Sequence, residues 1–261
     1  MEPVVAEDAD ATLDAFHRGA FWLVQPRRGH RAGMDAMVLA AAVPTGFSGT
    51  LADLGAGAGA AGLAVAARCR EARVTLVERS PEMLEYARRS LALPANAAVS
   101  GRAAILAADV TLAGKLRVAA GLADNSCDFA IMNPPFNAST DRATPDALRR
   151  SAHVMDEGMF EAWIRTAAAI VRPRGGLAVI ARPGSLGPLL DAMKGRFGAL
   201  RICPVHPRAD ATAIRVVVRG ARGSRAGLEI APPLILHEAG SDRFRPQADA
   251  INNGGASLFG D

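Results

Sequence analysis

Lysine is almost missing from this chain: Lys115 and Lys194 are its only two, so 28 of the 30 cationic side chains are arginines. Arginine is the better fork for phosphate, but a net formal charge of +4 is too small to define a nucleic-acid binder by charge alone. Cysteine is scarce too. Cys69, Cys127 and Cys203 are far apart, odd in number and never form a CxxC pair, which excludes a disulfide framework and a zinc site and points to a reducing compartment. No apolar run approaches the roughly 20 residues of a membrane helix. The acidic opening "MEPVVAEDADATLDAF" lacks the order of a signal peptide, so a cytoplasmic protein without membrane contact or an obligate protein partner is expected. Internal repeats and low-complexity linkers are also missing. At 261 residues the chain therefore reads as one large domain, residues 46–261, preceded by an extension over residues 1–45.

What is present is an alternation of strand-length and helix-length patterns. "MDAMVLAAAVP" spaces Met34, Met37, Val38 and Ala41 helically and stops at a proline. "TLADLG" and "RVTLVE" read as strands joined by the helix "AAGLAVAARC". Ser80 and Pro81 form an N-cap and first-turn pair for the next helix, with Met83, Leu84, Ala87 and Leu91 on one face. "AILAADV" and "FAIMN" supply the third and fourth strands. A helix through Phe160, Trp163, Ile164 and Ala167 ends at Pro173 and two glycines before the strand "LAVIARP". "LRICPVHP" and "AIRVVVRGARG" predict a final antiparallel pair, and the fold class is α/β with an open, mostly parallel sheet.

The first strand runs into "DLGAGAGAAG", which satisfies two patterns. Gly57, Gly59 and Gly62 fit a dinucleotide fingerprint, with Glu78 placed for a ribose. Asp53, Gly55, Gly57 and Gly59 equally fit the acid-GxGxG loop of S-adenosylmethionine enzymes. Asp109 adds a third acid at a strand tip, where open α/β sheets gather ligands; a helix cap is an equally good use for it. Three such acids suit a neutral-to-cationic nucleoside better than a pyrophosphate.

The fourth strand ends in "IMNPPF", and its prolines cannot continue a ladder. Asn133, Pro134, Pro135 and Phe136 match the (Asn/Asp/Ser)-Pro-Pro-(Tyr/Phe/Trp) signature, and here the sequence resembles the class I methyltransferases that modify planar nitrogens. The resemblance implies a Rossmann-like fold with a seven-stranded, mostly parallel sheet, an antiparallel C-terminal strand and helices on both faces. It implies S-adenosylmethionine as cofactor and no metal. Asp53 would then lie near the methionine ammonium, Glu78 on the ribose and Asp109 on the adenine. Asn133 and the Pro134 carbonyl would accept the hydrogens of the target amine, Pro135 would stiffen the loop, and Phe136 would stack on a flipped base.

"GHRAGMDAMVLAAAVP" and the ending "PPLILHEAGSDRFRPQADAI" are similar to segments of the bacterial adenine-N6 methyltransferases that act on the anticodon loop of a valine tRNA. That resemblance implies a tRNA substrate and places Arg31, Gly33 and Asp35 near the methionine end. Another planar nitrogen, a guanine N2 of ribosomal RNA or a protein glutamine, stays open, as does an RNA-binding protein without activity. Arg142, Arg149, Arg150, Arg208, Arg215, Arg219, Arg222 and Arg225 are the candidate RNA contacts.

Overall fold

The computed structural model describes residues 10–28, 31–135 and 145–261, with residues 145–157 described by backbone alone. A hairpin of β1 (Ala11–Phe16) and β2 (Phe21–Pro26) precedes α1 (Met34–Ala41). The alternating part follows as β3 (Gly49–Leu54), α2 (Ala60–Arg68), β4 (Ala72–Glu78) and α3 (Pro81–Ala92). Next come α4 (Ala97–Ser100), β5 (Ala103–Ala107), α5 (Gly114–Ala119), β6 (Cys127–Met132), α6 (Pro145–Ile170) and β7 (Val171–Ala181). The chain continues through α7 (Leu186–Met193), β8 (Phe197–His206), β9 (Arg215–Arg222), β10 (Glu229–Ile230), β11 (Leu234–Ile235) and α8 (Pro246–Asn252).

The sheet order is β10-β8-β9-β7-β6-β3-β4-β5, with β11 also paired to β8. Among the described residues, β9 is the one strand of this sheet that runs antiparallel to its neighbours, so the expected fold class holds. Among the described residues this sheet has nine strands rather than seven, because the two-residue strands β10 and β11 extend the β8 edge. Side chains alternate between two apolar layers, as a pleated strand requires. Leu51, Phe129 and Ile131 face the layer of α1, α2, α3 and the hairpin, whereas Ala52, Leu54, Ala130 and Met132 face α6 and α7.

Two details differ from the sequence reading. The helix before β7 stops at Ile170, and Pro173, Gly175 and Gly176 fall inside the strand, where the register to β6 shifts between Cys127 and Phe129. A Cβ at Gly176 would stand 2.1 Å from the Phe129 ring, so glycine serves close packing here rather than helix termination.

The second difference is the N-terminal hairpin, which the sequence did not announce. It shares the hydrophobic layer of α1 and α2. It is also docked on α3 by polar groups: Val24 N–H donates to Ser90 Oγ (2.9 Å), and the Asn96 amide accepts from Trp22 N–H and donates to the Trp22 carbonyl (2.7 Å each). Ser90 and Asn96 are fully buried, and these bonds offset the desolvation of both.

Candidate active site

Register places the candidate residues at one edge. Asp53 pairs with Leu76 on one side and Ile131 on the other, so the ends of β3, β4 and β6 lie side by side, and Gly55, Glu78 and Asn133 emerge together.

The glycine loop turns on left-handed residues: Gly55, Gly57 and Gly59 have φ of 72°, 57° and 97°. Their surroundings differ. A Cβ at Gly55 would come within 2.4 Å of Trp163 Cη2, whereas a Cβ at Gly57 would meet nothing within 4 Å. Gly55 is thus held by packing, and Gly57 borders open space at the strand tips. Gly59 is the N-cap of α2, close against Leu76.

Glu78 reaches back to this loop. Its Oε2 accepts Gly57 N–H (2.9 Å), and Oε1 accepts the N–H groups of Arg79 and Ser80 (2.8 Å each). A carboxylate fixed by three backbone donors is oriented before any ligand arrives.

Asp53 is buried beneath α2, where its Oδ2 accepts Gly62 N–H at 2.8 Å. Burial pushes its carboxyl up to about 7; the Gly62 bond opposes the shift and the Glu78 charge adds to it. Asp109 closes a short turn: Oδ1 accepts from the amide (2.8 Å) and hydroxyl (2.7 Å) of Thr111, and Oδ2 pairs with Arg79 at 3.1 Å. Partial burial alone would raise its carboxyl, but these bonds and the Arg79 charge outweigh that and hold it below the usual range. Asp109 therefore closes a turn rather than capping a helix, since α5 begins only at Gly114 with Ala113 as its N-cap.

At the end of β6, Asn133 Oδ1 is buried and has no hydrogen-bond donor among the described residues. Pro134 is buried and Pro135 exposed; Phe136 lies outside the described residues. β6 ends at Met132, paired with Leu54, so Asn133 is the first residue past the strand, next to the start of the glycine loop.

α1 starts at this same edge. Asp35 in its first turn accepts from Arg215 Nε at 2.8 Å, and Arg215 opens β9, whose neighbour Val216 pairs with Ala181 at the end of β7. Gly33 is the N-cap of α1, while Arg31 turns its guanidinium toward the hairpin. The contacts of Trp163 and the hairpin with these residues were beyond the sequence reading, since each joins distant segments.

The candidate RNA-binding arginines separate by position. Arg208 and Arg215 lie at the site edge. Arg222 pairs with Phe197, the first residue of β8, so it and Arg225 lie at the opposite end of the sheet. Arg222 donates there to the Val171 carbonyl and Asn125 Oδ1. Arg219 is held by Asp261 at 2.5 Å and stacks over Phe259. Arg142 and the side chains of Arg149 and Arg150 lie outside the described residues.

A seven-strand core with one reversed strand, an acid-flanked glycine loop and ligand-facing strand tips define the class I methyltransferase architecture. The profile of the methyltransferase small domain family matches residues 31–204, and the chain belongs to that family of S-adenosylmethionine-dependent methyltransferases. A crystal structure of a predicted O-methyltransferase from Agrobacterium tumefaciens is 49% identical, with 86% of this chain and 98% of that chain covered and a TM-score of 0.75. The T. thermophilus 16S rRNA N2 G1207 methyltransferase, solved with AdoMet and guanosine, shares the fold at 20% identity and a TM-score of 0.53, covering 81% of this chain and 50% of that one. A putative transferase of Pyrococcus horikoshii does so at 13% identity and a TM-score of 0.55, over 83% of this chain and 74% of that one. Comparison with curated proteins gives no match.

Proposed function

We propose that this methyltransferase transfers the methyl group to the N6 amine of an adenine in tRNA, in an anticodon loop of the valine-tRNA type. The observation that carries the reading is Asn133 Oδ1, a buried acceptor with no donor among the described residues, at the strand tip beside the glycine loop. A buried acceptor left unpaired costs about 1–3 kcal/mol, and a target amine would supply the missing hydrogen.

The residues fit the cofactor. Gly57 gives an approach free of side chains, Glu78 offers a fixed carboxylate for ribose hydroxyls, and Asp109 supplies a negative group for the adenine end, while Asp53, buried beneath α2 and bonded to Gly62 N–H, would set the glycine loop at the methionine end. Bound there, S-adenosylmethionine supplies a methyl group on a positively charged sulfur.

The chain's own part is to bind and orient the acceptor. An aromatic amine is a poor nucleophile because its lone pair is delocalised into the ring. Hydrogen bonds from its two hydrogens to Asn133 Oδ1 and the Pro134 carbonyl favour a pyramidal nitrogen whose lone pair points out of the ring plane. Phe136 would stack on the base. The Agrobacterium relative is a predicted O-methyltransferase, but an amide oxygen accepts a hydrogen bond and cannot take up the proton a hydroxyl must lose. An amine attacks first and sheds its proton afterwards, and so suits Asn133.

The test is labelled methyl transfer to bulk tRNA, ribosomal RNA and protein extract, followed by nucleoside and amino-acid analysis. N6-methyladenosine from tRNA supports the proposal. Label in guanine N2 or glutamine keeps the chemistry and replaces the substrate. Tight cofactor binding without transfer to any acceptor favours an RNA-binding role.

A further inference from the structure

The hairpin ends in a polar network that is larger than docking on α3 requires. Gln25 is buried, 2% exposed, and uses both ends of its amide: Nε2 donates to Asp14 Oδ2 at 2.7 Å, and Oε1 accepts Ala32 N–H at 2.9 Å. Asp14 Oδ2 also accepts from the Thr12 hydroxyl (2.8 Å) and from Arg31 Nη2 (2.9 Å). Arg31 Nη1 completes the ring by donating to Thr12 Oγ1 (2.7 Å) and to the Pro26 carbonyl (3.1 Å). Two consecutive residues, Arg31 by its side chain and Ala32 by its backbone, are thus tied to the hairpin just before Gly33 caps α1.

The place of this segment in the fold gives the network its significance. Asp35, one residue into α1, is bonded to Arg215 at the edge where β7 ends, and α1 packs on β6 and β7, the strand that leads into Asn133 and its neighbour. Residues 31–33 therefore overhang the strand tips, and they are held from two sides: the hairpin before them and Arg215 after them. The hairpin in turn is anchored through Ser90 and Asn96 to α3 and the turn that follows it, and α3 itself begins three residues after Glu78. One continuous chain of hydrogen bonds and covalent links joins the Glu78 side of the glycine loop to the segment above it.

We infer that Thr12, Asp14, Gln25 and Arg31 form a latch that fixes residues 31–33 over the cofactor, so that they act as positioning residues rather than as cofactor ligands. Arg31 in particular commits both terminal nitrogens to the hairpin. The inference rests on the assignment of the strand-tip site to S-adenosylmethionine. A pre-ordered cover binds without the entropy cost of ordering a loop at each encounter. Removing the latch consequently weakens cofactor binding and leaves the transfer step at saturation nearly unchanged.

The experiment is equilibrium binding of radiolabelled S-adenosylmethionine to the full chain and to Gln25→Ala and Thr12→Val, with circular dichroism to confirm folding. Steady-state kcat and KM follow on the best acceptor. Thr12→Val is nearly isosteric, so it decides the matter if Gln25→Ala fails to fold. The latch predicts a Kd raised about 3-fold to 30-fold in folded variants, with KM rising in parallel and kcat within about 2-fold of the parent. Amide exchange at Ala32 accelerates in Gln25→Ala while that of Thr50, bonded to Asp128 in β6, does not. Parental Kd and KM in folded variants overturn the latch and leave the methyltransferase reading intact. Failure of the parent chain to bind the cofactor overturns both.

Discussion

Asp35 and Arg215 are 180 positions apart in sequence and 2.8 Å apart in space, and their ion pair pins the start of α1 to the edge where the strands present the candidate site. The Arg215 and Asp35 side chains are 25% and 32% exposed, so solvent screens the pair and its worth to overall stability is at most about 1 kcal/mol. Its positional effect is larger. Arg215→Ala is expected to lower Tm by only a few degrees and to raise KM for S-adenosylmethionine several-fold. A thermal melt beside a cofactor titration checks both, and an unchanged KM contradicts the anchoring role.

Asp53 couples stability to pH in the direction opposite to that of a salt-bridged acid. Its folded carboxyl titrates at about 7 against 3.8 without the fold, so between those values the unfolded chain gives up a proton that the folded chain keeps. This group's contribution to stability falls as pH rises from about 4 to about 7 and levels off above. In Asp53→Asn, an amide oxygen can still accept Gly62 N–H and the charge is gone. The variant is expected to be more stable than the parent at pH 8 and to match it near pH 4, as measured by urea unfolding at both. Equal gains at both values contradict the assignment.

The glycines of the loop separate packing from ligand approach. Gly55→Ala collides with Trp163 and takes on a left-handed alanine, a combination expected to cost on the order of 2–4 kcal/mol of stability. Gly57→Ala meets no protein atom within 4 Å, so only the backbone strain of about 1 kcal/mol remains. Its methyl group enters the open space instead, and cofactor affinity is expected to drop at least 10-fold. Denaturant midpoints and cofactor Kd for the pair should give opposite rankings.

The alternation of strands and helices was legible because periods of two and 3.6 leave their mark in apolar spacing. Ser80 announced its helix by the same local logic, and it does accept Met83 N–H at 3.4 Å. The hairpin was not legible. Its turn runs through His17 and Arg18 at φ of 48° and 55°, where a tight hairpin would ordinarily carry Asn or Gly. Its polar docking comes from Asn96 and Ser90, 74 and 66 residues from the backbone groups they bind. At the site, local spacing picked out the acids at strand tips but not their uses. Glu78 reaches Gly57 only once β4 lies beside β3, and Asp53 reaches Gly62 only once the glycine loop has turned α2 back over the strand. Asp109 bonds to Thr111 two positions on, a use that spacing alone could suggest.

The account turns on Asn133, whose side-chain oxygen is assigned to the hydrogens of the target amine. The most direct measurement is Asn133→Ala in a single-turnover methyl-transfer assay on tRNA, beside cofactor binding by the same protein. The account predicts a cofactor Kd within about 2-fold of the parent and a transfer rate reduced at least about 100-fold, the scale on which loss of one preorganised polar contact acts. Transfer at the parental rate with the oxygen removed would contradict it.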